Sequence, residues 1–238
     1  MPWGAVRPRP LRSRGNGLET ARDAPLHYRL AQRVVWLLAR LLTRLDLLGF
    51  ERIPRTGALI LAPNHLHSLD LPLLFLMPRR PAVFAAEKWR GTPGGWLMRA
   101  FAPLIFVNRG DADRAALARA AQVLRAGGVL GVAPEGTRSR TGALQRGRNG
   151  AAFLASRSGA PILPVAAWGQ ERFIRSLLHL RRPDVHVRVG ELIVLPQGCE
   201  KARGDQLDEW TDQVMMQIAR MLPPEYRGVY AARVAEEG

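Results

Sequence analysis

Short apolar runs alternate with helix-length stretches along most of this chain, and few folds accommodate that order. The runs fall at residues 58–62, 82–86, 104–107, 129–133, 162–167 and 185–195. Helical patterns occupy residues 69–77, 94–102, 111–126, 147–158 and 206–222. Unbroken apolar runs of strand length suit strands covered on both faces rather than half-exposed ones. The pattern therefore predicts an α/β fold, a mixed and mainly parallel sheet flanked by helices. A chain of 238 residues fits one such domain. Ligands in open sheets of this kind gather at the carboxyl ends of the strands.

Residues 1–25 fall outside that alternation. Arg7, Arg9, Arg12, Arg14 and Arg22 stand there among Gly and Pro, without the apolar stretch of a signal peptide. This segment reads as a basic flexible tail. Residues 26–50 read as an amphipathic helix lying on a membrane surface. Arg29, Arg33, Arg40 and Arg44 fall within about 60° of one another at helical spacing, and leucines, valines and Trp36 fill most of the remaining arc. Residues 51–222 form the expected α/β domain and 223–238 a C-terminal tail.

The formal net charge of +15 calls for an anionic partner: a phospholipid surface, a phosphorylated small molecule or nucleic acid. Lysine occurs only at Lys88 and Lys201, so the excess is almost wholly arginine. The single cysteine, Cys199, excludes an internal disulfide, fits a reducing setting, and leaves no Cys-rich metal site. No apolar run approaches the roughly 18 residues of a spanning helix.

Three apolar runs end in polar strings. Asn64-His65-Leu66-His67-Ser68-Leu69-Asp70 follows the first, Asn108-Arg109-Gly110-Asp111 another, and Pro134-Glu135-Gly136-Thr137-Arg138-Ser139 a third. An imidazole held by a carboxylate is a general base, and His65 and Asp70 make such a pair provided that a turn, with Ser68 as its helix cap, brings them together. Asp70 then fixes the tautomer of His65. Guanidinium groups fork onto phosphate, so Arg109, Arg138 and Arg148 near a histidine point to a phosphorylated substrate. No Gly-x-Ser-x-Gly elbow is present, which favours direct transfer over a covalent intermediate. The string Pro161-Ile162-Leu163-Pro164-Val165 reads as an edge strand or a wall, because proline donates no ladder hydrogen bond.

His65-x-x-x-x-Asp70, Phe106-Val107-Asn108-Arg109, Glu135-Gly136-Thr137-Arg138-Ser139 and Pro161-Ile162-Leu163-Pro164-Val165, in that order, resemble the four motif blocks of the glycerolipid (lysophospholipid) acyltransferases. The resemblance spans roughly residues 48–196. It implies that His65 is the general base that deprotonates an acceptor hydroxyl for attack on an acyl thioester, with Asp70 orienting it. It also implies that Arg109, Glu135 and Arg138, with Gly136 and Thr137 between the latter two, bind the glycerol phosphate of a lysophosphatidate. Arg148 stands where the family usually has a lysine. Acyl-CoA or acyl-carrier protein is the implied donor and co-substrate, with no metal and no other cofactor. The implied setting is the cytoplasmic face of an anionic membrane, with the protein monotopic or peripheral.

His67 reads as a packing or supporting residue, and His27, His179 and His186 as ordinary surface or strand histidines. Chemical need assigns the Gly136 N–H to the thioester oxyanion. The resemblance implies that residues 71–77 with the fourth block line an acyl channel, and core packing explains the same residues equally well. Two other readings stand beside this one. The same chemistry could serve another lysophospholipid, a glycolipid or an amino-acid lipid. A non-catalytic basic protein would fit the charge, but no nucleic-acid-binding motif appears, so nucleic acid is not an expected partner.

Overall fold

The computed structural model describes residues 26–67, 70–108 and 113–237. Its seven strands, β1 (Arg44–Leu48), β2 (Leu59–Pro63), β3 (Pro81–Ala86), β4 (Leu104–Val107), β5 (Val129–Gly131), β6 (Ile162–Trp168) and β7 (Asp184–Val189), form one sheet in the order β1-β7-β6-β2-β5-β3-β4. The run from β6 to β4 is parallel throughout; β7 is antiparallel to β6, and β1 is parallel to β7. This is the mixed, mainly parallel sheet that the apolar runs predict. Because β2 to β6 run the same way, the segments that follow them all emerge at one end of the sheet.

Helices cover both faces. On one side lie α1 (Leu26–Leu42) and α2 (Asp70–Leu73), which continues into a 3-10 turn at Leu74–Leu76. Leu59, Leu61, Leu163, Val165 and Val187 point to that side, and Trp36, Ala39 and Leu73 pack on them. α3 (Pro93–Phe101) connects β3 to β4; Thr92 caps it by accepting from the Gly95 N–H, with Pro93 in its first turn. On the other side, α4 (Arg114–Arg125), α5 (Gly150–Ser158) and α7 (Asp205–Met221) pack Ala120, Leu124, Leu154, Met215 and Ile218 against Ile60, Leu130 and Ile162. Alternate residues of the central strands β2, β3, β5 and β6 thus feed two cores, which is why their runs show no polar alternation. α6 (Phe173–Leu178) and α8 (Ala231–Glu236) complete the chain.

Three expectations are corrected. The helix expected over 26–50 ends at Leu42, where Thr43 turns its hydroxyl onto the Ala39 carbonyl. Residues 44–48 alternate instead with period two, Leu45 and Leu47 inward and Arg44, Asp46 and Leu48 outward, and join the sheet as β1. Arg44 accordingly leaves the arginine stripe and faces Asp184. The proline-rich string is no edge strand: β6 lies between β7 and β2. Its prolines serve as acceptors, Pro161 O from the Ile60 N–H and Pro164 O from the Gly190 N–H. Finally, residues 223–238 are no tail. Tyr226 and Tyr230 are buried in the core, and the segment hydrogen-bonds to Leu144 through Tyr226 O and the Val229 N–H. Gly228 is required there, since with φ +51° a Cβ would overlap the Leu144 carbonyl. The N-terminal basic tail lies outside the described residues.

α1 divides its apolar arc between two surroundings. Tyr28, Ala31, Val35, Trp36 and Ala39 face the domain, whereas Leu30, Val34, Leu37, Leu38 and Leu41 are exposed. At helical spacing the exposed five span about 100°, with Arg29, Arg33 and Arg40 along one border.

Arg79, only 4% exposed, had no signal in the sequence. It donates to the carbonyls of Pro54, Gly57 and Gly127, tying the loop before β2 to the turn before β5. Arg79→Ala leaves these acceptors without their donor and is expected to lower stability by about 2 kcal/mol. Urea unfolding checks this, and an unchanged midpoint would show that the ties are dispensable.

Candidate active site

β6 with the turn after it, and the segment after β5, converge on the residues that follow β2. Asn64, buried at the end of β2, continues the pairing to β6 with its side chain: its amide donates to Ala167 O (2.9 Å) and its Oδ1 accepts from the Ala167 N–H (2.8 Å). The chain can then leave the ladder at His65 without orphaning the neighbouring strand. The His65 N–H donates to Glu135 Oε1 (2.9 Å), and His65 O accepts from the Ser139 N–H (2.8 Å). Both main-chain groups of the histidine are thus held by the string that follows β5.

The two members of the expected pair are brought together. His65 Nδ1 lies 2.7 Å from Asp70 Oδ2, which also accepts from the His67 N–H (3.0 Å), while the Asp70 N–H donates to His67 O (3.2 Å). A carboxylate only accepts, so the Nδ1 proton points at Asp70 and Nε2 carries the lone pair. The His65 side chain retains 29% exposure, against 13% for Asp70. The imidazole is reachable and its partner is screened. Ser68, the expected cap, lies outside the described residues, as does Arg109.

Gln170 belongs to this site and was not legible in the sequence, being a hundred positions from its partner. It follows β6 in a 3-10 turn (Gln170–Arg172), and its amide donates to Asp70 Oδ1 (2.8 Å). Its own Oε1 is buried without a hydrogen bond among the described residues. The opposite amide orientation would set that oxygen against a carboxylate, so the Asp70 contact fixes the side chain at the cost of an orphaned acceptor. Gln170→Leu is expected to reduce kcat about tenfold by freeing Asp70. A pH–rate profile separates positioning from bulk packing: positioning shifts the acid limb, whereas a packing defect lowers the whole curve without moving it.

Glu135 is corrected. It is expected among the substrate ligands, yet it is 2% exposed and spends its oxygens on two backbone donors, His65 N–H and Gln145 N–H (2.9 Å each). Burial pushes its carboxyl above the ordinary range, against the pull of those two amides. It ties the histidine loop to residue 145. The C-terminal segment braces the same loop, since Tyr230 Oη accepts from the Gly147 N–H (3.1 Å).

The Gly136 N–H is likewise engaged, donating to Ala133 O (3.0 Å), and is not offered to an oxyanion. Gly136 has φ +71°, and a Cβ there would meet Arg148 Cδ, so glycine lets the Arg148 side chain cross the loop. The Arg148 N–H donates to Pro134 O (2.7 Å). Arg138 and Arg148 are exposed and Thr137 is half-buried on the same loop. The structure therefore brings Arg138 and Arg148 to the sheet end that carries His65. Among the described side chains of residues 71–77, Leu76 and Met77 are core, and Leu76 borders an open groove of about 500 Å³, shared with Trp36 and Phe50. His186 is a strand residue of β7; Asp46 lies 2.9 Å from its Nδ1, and its ring stacks on Trp168. No cluster of His, Cys, Asp and Glu among the described residues could hold a metal ion.

The family model described as Acyltransferase matches residues 44–168. The 1-acyl-sn-glycerol-3-phosphate acyltransferase of Borreliella burgdorferi is 28% identical over 175 residues, covering 71% of this chain and 70% of that protein. The 1-acyl-sn-glycerol-3-phosphate acyltransferase alpha of Mus musculus is 32% identical over 139 residues, 55% of this chain and 47% of its own length. The crystal structure of the 1-acyl-sn-glycerophosphate (LPA) acyltransferase PlsC from Thermotoga maritima superposes with a TM-score of 0.61 at 22% identity, covering 88% of this chain and 79% of that one. That likeness is one of fold.

Proposed function

Because this chain belongs to the acyltransferase family, we infer that it transfers a fatty acyl group from a thioester, acyl-CoA or acyl-carrier protein, to the free hydroxyl of 1-acyl-glycerol-3-phosphate. The observation that carries this reading is the His65–Asp70 pair, 2.7 Å apart and accessible at the carboxyl end of β2. His65 Nε2 takes the hydroxyl proton as the oxygen attacks the thioester carbonyl. The tetrahedral intermediate collapses with cleavage of the C–S bond, and the imidazolium returns the proton to the departing sulfur. Asp70 stabilises the imidazolium formed between those steps. Arg138 and Arg148, with Arg109, supply the guanidinium groups for the acceptor phosphate.

The acceptor is a membrane lipid, and the outward Leu30, Val34, Leu37, Leu38 and Leu41 of α1, bordered by arginines, suit the headgroup boundary of an anionic bilayer. Among the described residues no helix is long and apolar enough to cross a membrane, so contact with one leaflet is the reading. The test is thioester release by the purified chain with acyl-CoA or acyl-carrier protein, comparing lysophosphatidate with unphosphorylated monoacylglycerol. Release that depends on the phosphate supports the assignment, and equal rates on both acceptors would remove it.

A further inference from the structure

We propose that α6 and the segment after it form a second contact with an anionic bilayer, separate from α1 and set at the catalytic end of the sheet. The proposal rests on the lysophosphatidate reading only for its purpose, since a lipid acceptor must reach His65 from a membrane.

α6 buries none of its residues, and the segment is apolar where it is most exposed: Leu178 is 79% exposed and Leu180 is 97% exposed, with Ile174 also outward. Residues 172–183 contain four arginines and one histidine and no acidic residue. The backbone makes Leu180 harder to explain by folding. Its N–H donates to Leu177 O (3.0 Å) and the Arg181 N–H donates to Ser176 O (2.9 Å), the bond pattern of a helix ended by a left-handed residue. That place usually falls to glycine, yet here leucine takes φ +53°, the only such non-glycine residue among those described. A left-handed leucine is disfavoured relative to the right-handed region, because its Cβ crowds the backbone. Its side chain returns nothing to the fold, because almost all of it faces outward. Covering it with lipid would supply what the domain does not.

The site of this segment selects a membrane over a protein partner. α6 follows β6, whose carboxyl end lies beside that of β2, and Gln170 immediately before α6 touches Asp70. The Arg182 guanidinium donates to the Arg40 and Thr43 carbonyls at the end of α1, joining the segment to the helix already read as lipid-facing. α3, which follows β3 at the same sheet end, exposes Trp96 to 74%, and an indole suits the headgroup boundary. Arg175 and Arg181 are exposed, so their charge is available to anionic headgroups.

The decisive variant is Leu178→Ser with Leu180→Gly in the full chain. Glycine fits the left-handed position, so the thermal midpoint should hold or rise. Cosedimentation with vesicles of phosphatidylglycerol and phosphatidylcholine should weaken about tenfold. Turnover of long-chain lysophosphatidate in those vesicles should fall with it, and turnover of a short-chain, water-dispersed lysophosphatidate should stay at the parent level. Undiminished binding to anionic vesicles, or a thermal midpoint lowered by several degrees, would overturn the proposal. If binding weakens but neither protein acylates lysophosphatidate, the bilayer contact stands and the acceptor assignment falls.

Discussion

Alanine in place of His65 is expected to lower kcat for thioester release by about a thousandfold, within the range general bases contribute, while leaving the fold intact. The reason lies in how the residue is held. Its N–H and carbonyl are fixed by Glu135 and Ser139 through the main chain, so removing the imidazole breaks neither tie. Only the bond to Asp70 is lost, and Asp70 keeps donors from the His67 N–H and Gln170. The unfolding midpoint should therefore shift little while turnover collapses. Parent-level turnover in a folded His65→Ala protein would remove the general-base role. Asp70→Asn makes a graded comparison. Three donors converge on the two oxygens of Asp70, so an amide must turn its NH2 group against at least one of them. Turnover should fall by about a hundredfold, the cost of a base held in the wrong tautomer or place.

Glu135→Gln should show the opposite division, losing stability and rate together. Each carboxylate oxygen accepts one backbone N–H, and glutamine can supply only one such oxygen. Either the His65 or the Gln145 amide is then buried facing another donor, at a cost of about 2 to 3 kcal/mol. The His65 main chain must also shift, which is expected to cost about a hundredfold in kcat. Because burial raises the Glu135 carboxyl, the folded chain keeps this proton to a higher pH than the unfolded chain does. The group's contribution to stability is therefore greatest in acid and declines as pH rises from the ordinary carboxylate range through the raised value. Urea midpoints of the parent and Glu135→Gln proteins across that window should converge as pH rises. Parallel midpoint curves would show that Glu135 does not titrate differently on folding. Unchanged kcat in the variant would show that the loop, not its carboxylate, positions the base.

How much of this could be read from residues alone differed between elements. The six apolar runs each carry a strand; the central ones are legible because a segment buried on both faces must be apolar at every position, and β7 because its valines recur with period two. β1 escaped that reading because its two-residue period is short and adjoins a leucine-rich helix, so local pattern favours continuation. The wrong edge placement of β6 has a different cause: whether a proline is tolerated depends on which neighbour needs a donor. The tyrosines of the C-terminal segment gave no local sign of the core that receives them.

At the site, spacing and residue type suffice for the His65–Asp70 pair, since only four residues separate its members. Glu135 was legible as important but not in its task, because a carboxylate beside arginines looks like part of a ligand shell until burial shows that it faces main-chain amides. Gln170 and Asn64 act across strands that are neighbours only in the folded sheet.

The sequence by itself determined the fold class, the alternation of strands and helices, the pairing of His65 with Asp70, and the cationic, amphipathic character of α1. These follow from local periodicity and from short-range chemistry. Tertiary structure alone decided strand order, the double anchoring of the His65 main chain, the support of Asp70 by Gln170, and the gathering of exposed apolar residues at the catalytic end. Each depends on contacts between distant segments, and such contacts are set by how the two cores close around the sheet.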